Sequence, residues 1–205
     1  ARVKPMDGAR KQRMFDLLVQ IGVKEIEVGF PAASKTDFDF VRRLIEDDLV
    51  PEDTTIAVLT QARPELIEQT FEALEGAPRA IVHLYNSTST TQRRVVFRLD
   101  EAGVVELAVR ATELCKELAG RASGETIFQY SPESFHGTEL EFALEICEAV
   151  IAAWGPTVEA PMILNLPTTV EAFPPNIYAD RIEWFGRHRS ARDRVIRSVH
   201  PHNDH

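Results

Sequence analysis

Short apolar stretches recur along the chain, each bounded by turn residues. They cover 25–30, 54–60, 79–85, 125–130, 160–166 and 195–200. Most are rich in Ile, Val, Thr, Phe or Tyr. Pro31, Pro-Glu-Asp at 51–53, Gly76-Ala77-Pro78, Gly120 to Gly124 and Gly155-Pro156 punctuate them. Such runs predict six short strands. Between them the apolar period changes to that of a helix. In 9–21, Met14, Leu17, Leu18 and Ile21 fall at i, i+3, i+4 and i+7, and Gly22 follows. This spacing predicts an apolar face. The segment 34–49 carries Phe38, Val41, Leu44 and Ile45 on one side. Helices are also predicted over 64–74 with Pro64 in the first turn, over 100–119 and over 178–187. A further helix is predicted over 138–154, where Thr-Glu-Leu-Glu reads as a capping box.

Strand and helix alternate six times. The strand ends near Gly29, Thr60, Tyr85, Tyr130, Leu166 and His200 are spaced by 31, 25, 45, 36 and 34 residues. That rhythm implies βα units and a parallel sheet. Six units in 205 residues average about 34 each, and eight would need roughly 270, the usual size of a (β/α)₈ barrel. Polar residues gather where strands finish: Ser131, Glu133, Thr168, Thr169, His200 and His202. In a barrel that end carries the chemistry.

Composition narrows the class. Lys plus Arg is 23 and Asp plus Glu is 32, a net charge of −9, which argues against electrostatic binding of nucleic acid or an anionic membrane. The longest all-apolar run, 149–154, is far too short to span a bilayer. The N-terminal ARVKPMDGARKQRMF has no apolar core and does not read as a secretory leader. Two cysteines, Cys115 and Cys147, make no disulfide framework and fall on apolar helix faces, as core residues of a cytoplasmic protein do. No G-x-G-x-x-G turn or Walker loop is present, which weakens a nucleotide reading.

Candidate chemistry follows the strand ends. In His200-Pro201-His202 the two imidazoles project to one side of an extended segment and can seat a divalent metal; the alternative is a surface pair. Glu133 could act as a base, a group near a metal, a substrate acceptor or a helix-capping acid. His83 and Tyr85 share a strand face, and His83 could be a buried structural histidine or a pocket residue. Glu27, in an apolar strand, requires a partner, either structural or near a metal. Arg93-Arg94 could steer a phosphate-bearing cofactor or form a solvated pair. Asn165 to Thr169 could offer amide and hydroxyl donors to a carboxylate.

Several segments together resemble the 2-isopropylmalate synthase family, in the branch found in actinobacteria and fungi. They are Lys24 to Pro31, Val58 to Gln61, Val82 to Ser89, Tyr130 to Ser134, Asn165 to Glu171 and His200 to Asp204, in that order. The His-x-His-Asn-Asp motif is shared with homocitrate and citramalate synthases, while Ser-Pro-Glu-Ser and Asn-Leu-Pro-x-Thr narrow the match. The resemblance implies a TIM (β/α)₈ barrel, here incomplete, with strands two to seven over 1–205. The first strand with its Arg-Asp segment, the last strand and a C-terminal regulatory domain would not be in the chain. It implies a divalent metal (Mg²⁺, Mn²⁺ or Zn²⁺) on His200 and His202, with Glu133 catalytic. Thr169 would hold a keto-acid carboxylate, and His83, Tyr85 and Ser131 would line the pocket. The implied reaction condenses acetyl-CoA with 2-oxoisovalerate, in a full-length homodimer, with the isolated chain inactive. A related 2-keto-acid acyltransferase and a non-catalytic metal- or ligand-binding fragment are the alternatives.

Overall fold

The computed structural model describes residues 5–202. All six predicted strands form: β1 (Glu25–Gly29), β2 (Thr55–Gln61), β3 (Arg79–Ser87), β4 (Glu125–Glu133), β5 (Met162–Pro167) and β6 (Val195–His200). The helices are α1 (Gly8–Gln20), α2 (Lys35–Glu46), α3 (Pro64–Ala73), a single turn α4 (Thr90–Gln92), α5 (Glu101–Ala119), α6 (Leu140–Trp154) and α7 (Pro175–His188). The strands follow chain order in the sheet, β1-β2-β3-β4-β5-β6. The pairs β1–β2, β4–β5 and β5–β6 are parallel. Helical crossovers between sequential parallel strands are the connectivity of a (β/α)₈ barrel, and the described residues hold six strands joined by five such crossovers.

The chain divides into two compact units, one running to His83 and including Glu117–Thr126, the other made of Leu84–Lys116 and the chain from Ile127. In the first unit, Ile26, Val28, Ile56, Val58 and Ile81 from the strands are buried with Phe40, Val41, Leu44 and Ile67 from α2 and α3. Each such side chain contributes about 1.5–3 kcal/mol of burial. The apolar row predicted on α1 does not become its buried face. Met14, Leu17 and Ile21 are 47%, 52% and 67% exposed, and Phe15 is the buried residue. The helix docks instead by the side that carries Lys11 and Phe15. Lys11 Nζ reaches Asp37 of α2 at 2.7 Å and lies 5.6 Å from the Phe40 ring. An ion pair and a cation–π contact decide the azimuth where hydrophobicity alone points elsewhere. Gly124 is obligatory at the start of β4, because a Cβ there would sit 2.0 Å from the Ala77 carbonyl oxygen.

In the second unit β5 is buried along its whole length, and its Met-Ile-Leu-Asn-Leu run is the continuous apolar pattern of a parallel strand covered on both faces. Tyr130, Leu164 and Leu166 are fully buried, and Tyr130 donates its hydroxyl to Asn86 Oδ1 at 2.7 Å. Burial pushes the Tyr130 phenol well above its usual range. Cys115 and Cys147 are core residues as expected. Burial lifts Cys115 to about 12 and raises Cys147 as well, so neither is a nucleophile at neutral pH.

Two local expectations fail for physical reasons. Thr138 does not cap α6: the N-cap is Glu139, without a side-chain capping bond. The Thr138 hydroxyl is buried and used by Ser134 O and Thr88 Oγ1, both at 2.8 Å. Arg93 is not half of a solvated pair. It is 7% exposed, its Nη1 and Nη2 both reach the Glu139 carboxylate at 2.9 Å, and its guanidinium lies 4.4 Å from the Phe142 ring. It also donates to the Thr88 carbonyl at 2.6 Å and to Glu101 at 3.1 Å. Arg93 opens a single π-helical turn, Arg93–Phe97, so the segment after β3 is tied down by this one side chain.

Arg93 holds the Glu139 carboxyl at about 2, well below its ordinary 4.5. A depressed carboxylate contributes stability above the unfolded value that is lost as pH falls through the folded one. Urea midpoints are therefore expected to fall between pH 4.5 and 2, and Glu139→Gln to flatten that part of the curve. At pH 7 the same variant should cost about 0.5–1.5 kcal/mol. A curve unchanged by the substitution would refute this assignment.

Candidate active site

β3 and β4 each extend beyond their predicted ends, to Ser87 and Glu133, because the chain keeps pairing: Thr88 N–H donates to Glu133 O at 3.0 Å. Glu133 is thus the last residue of a strand, not a capping acid ahead of α6. Side chains two apart on a strand share a face. That places Tyr85 and Ser87 of β3 together, Ser131 and Glu133 of β4 together, and Ser198 and His200 of β6 together. Asn165 of β5 donates to Ser131 Oγ at 2.8 Å and pairs in register with Ser198, so these rows face the same side of the sheet in the second unit. They converge at the C-terminal strand ends, the functional end of a βα fold.

Glu133 is half-buried and accepts a hydrogen bond from the buried Ser87 hydroxyl on its Oε2. The next residue, Ser134, is buried and left-handed, φ 64° and ψ 34°. For a residue with a Cβ this costs about 1–2 kcal/mol. The turn is held by its amide, which donates to Thr169 Oγ1 at 3.1 Å. Thr169, half-buried, therefore meets the end of β4.

The following loop grips the histidine segment. Thr168 N–H donates to His200 O at 3.1 Å, and His202 N–H donates to both Thr168 Oγ1 at 3.0 Å and Glu171 Oε1 at 3.1 Å. His200 and His202 are exposed, with rings near-parallel at 17° and centroids 5.0 Å apart. The donor set suits a borderline divalent cation, but two nitrogens do not complete a site. Among the described residues no group of three His, Cys, Asp or Glu is placed to hold a metal ion. Asn203 and Asp204 lie outside the described residues.

His83 belongs to the first unit. It is 3% exposed, with Nδ1 2.7 Å from Glu27 Oε2. The acid in the apolar β1 strand thus has an imidazole for its partner, a contact that orients the ring. Sequence reasoning missed Ser87, Glu171 and the Arg93–Glu139 pair as parts of this arrangement. Ser87 lies within a motif that carries the family resemblance, but no local spacing marks its partner.

The chain belongs to the HMGL-like family, whose model matches residues 1–205. It is 65% identical over its full length to the 2-isopropylmalate synthase of Rhodospirillum rubrum. It is 60% identical to that of Parafrankia sp. over its full length, and 60% identical to that of Pseudomonas syringae pv. tomato over 98% of the chain. It spans 37%, 36% and 36% of those proteins, a little over a third of their length. The resemblance read from the motifs is borne out. Among solved structures, the HMG-CoA lyase of Bacillus subtilis superposes with a TM-score of 0.66 at 19% identity, over 98% of this chain and 64% of the lyase. Hydroxymethylglutaryl-CoA lyase from Pseudomonas aeruginosa gives 0.65 at 16% identity, over 95% and 61%. These likenesses support the incomplete TIM-barrel fold. Among the described residues no helix is long and apolar enough to cross a membrane.

Proposed function

We propose that the chain is the central part, strands two to seven, of the catalytic barrel of a 2-isopropylmalate synthase, completed by further segments of a longer protein. The reading is carried by similarity over the whole of this chain to proteins of that name, at 65% and 60% identity. The reaction joins acetyl-CoA to 2-oxoisovalerate. A base removes a methyl proton from the acetyl group, and the resulting carbanion forms a carbon–carbon bond to the ketone carbon. The ketone oxygen takes up a proton, and water then cleaves the thioester to a carboxylate and free CoA thiol.

In this reading Glu133 is the acid–base group at the reacting oxygen, held at the end of β4 where a keto acid could reach it. Thr169 binds the substrate carboxylate. Tyr85 and Ser131 line the pocket, with Asn165 fixing the Ser131 hydroxyl; His83, which the resemblance also assigns to substrate, is oriented by Glu27 within the first unit. His200 and His202 would hold a divalent metal, Mg²⁺, Mn²⁺ or Zn²⁺, which supplies Lewis-acid polarisation of the keto acid. The Thr168 and Glu171 contacts keep the histidine segment in place for it.

The test is a keto-acid panel with the full-length protein, reading CoA thiol release. 2-Oxoisovalerate is expected to exceed pyruvate and 2-oxoglutarate by at least about tenfold in kcat/KM, the scale on which a pocket separates substrates differing by a methyl or a charge. Equal rates with all three would reject the assignment.

A further inference from the structure

Ser87 and Thr88, at the end of β3, both address Glu133, and they do so at opposite ends of the residue. Thr88 N–H donates to the Glu133 carbonyl at 3.0 Å, with the Thr88 hydroxyl also 3.0 Å from that oxygen. This joins the two strand ends. On the far side, Ser134 is fixed in its left-handed turn by Thr169. The backbone of Glu133 is therefore constrained before the Ser87 hydroxyl is considered. What Ser87 adds acts on the carboxylate alone: a buried hydroxyl donating to Oε2. A half-buried glutamate at a strand end otherwise retains rotamers about its side-chain torsions, and a donor to an ionised acceptor is among the stronger hydrogen bonds.

We propose that Ser87 is a positioning residue that sets the carboxylate of Glu133 for proton transfer. The proposal rests on the reading of Glu133 as the acid–base group. Because Thr88 holds the strands together independently, removal of the Ser87 hydroxyl leaves the sheet intact and releases one carboxylate. Proton transfer needs a donor–acceptor approach of about 2.6–3.2 Å, so a freed carboxylate spends less of its time in reach. The proposal assigns the Ser87 hydroxyl to the carboxylate and not to the keto acid, so keto-acid binding should change little.

The experiment is a double-mutant cycle in the full-length protein, with kcat and KM from thiol release. Ser87→Ala is expected to lower kcat about 10–100-fold, the scale of one hydrogen bond to a charged group, with KM for 2-oxoisovalerate within about threefold. Ser87→Thr, which keeps the hydroxyl, should recover most of the loss. In a Glu133→Gln background Ser87→Ala should cost nothing further, because no proton-carrying group remains to be placed. A loss that persists undiminished in the Glu133→Gln background, or one that appears in KM alone, overturns the positioning role while leaving Glu133 in place. If Glu133→Gln itself keeps wild-type turnover, the reading of Glu133 fails and the Ser87 proposal falls with it.

Discussion

Glu133→Gln in the full-length protein is expected to reduce kcat by about 10²–10⁴-fold, the range supplied by a positioned acid–base group. The substitution is nearly isosteric. An amide oxygen can still accept from Ser87, and the backbone carbonyl still accepts from Thr88. Packing, strand pairing and the left-handed turn at Ser134 have no reason to change, so the urea midpoint should stay close to wild type. What is lost is a group that takes up and releases a proton. KM for the keto acid should move by less than about threefold, because Glu133 acts in the chemical step and not in ground-state binding. A loss confined to KM would show that Glu133 binds substrate instead, and wild-type kcat would remove it from the mechanism.

Much of the fold is legible because parallel strands announce themselves locally. The runs at β2 and β5 are apolar, β-branched or bulky and sharply punctuated, and both faces are buried, so no competing period obscures them. Strand ends are less visible. Asn86-Ser87 and Pro132-Glu133 carry turn-forming residue types, yet they continue β3 and β4 because each strand supplies the other's partners. A hydrogen bond between Thr88 and Glu133 spans 45 residues, beyond the reach of local pattern. The misread α1 face has a similar origin. Its apolar row is real, but Lys11 meets Asp37 and Phe40 on another side of the helix, and that contact is non-local too.

The candidate site divides along the same line. Residue types near strand ends are legible: Ser131, Glu133, Thr169, His200 and His202 all stand in or just after the last residues of a strand in the second unit, Ser131 and Glu133 inside β4 and not after it. Their partners are not. Arg93 looks like part of a basic surface run until Glu139, 46 residues later, closes on it. Glu27 needed a partner on desolvation grounds, and His83 supplies it from 56 residues away. Local chemistry names candidate groups, whereas the groups that contact them come from distant parts of the chain.

The second large effect falls on the histidine segment. In the full-length protein, His200→Ala and His202→Ala are each expected to weaken binding of Mn²⁺ by at least about 10²-fold, since loss of a ligand should exceed the 10–100-fold cost of losing an outer partner. Calorimetric titration of metal-stripped protein reads this directly, without turnover. The two variants should fall together, because rings 5.0 Å apart on one short segment serve one cation, not two. Thiol release at a fixed low metal concentration should drop in parallel and recover partly as metal is raised. The backbone supports this expectation: Thr168 and Glu171 hold the His202 amide, and neither bond involves an imidazole, so both bonds survive either substitution. Unfolding midpoints of the metal-free variants should accordingly match the metal-free parent. Unchanged Mn²⁺ affinity in either variant would show that the paired rings are a surface feature and that the metal, if bound, is held elsewhere.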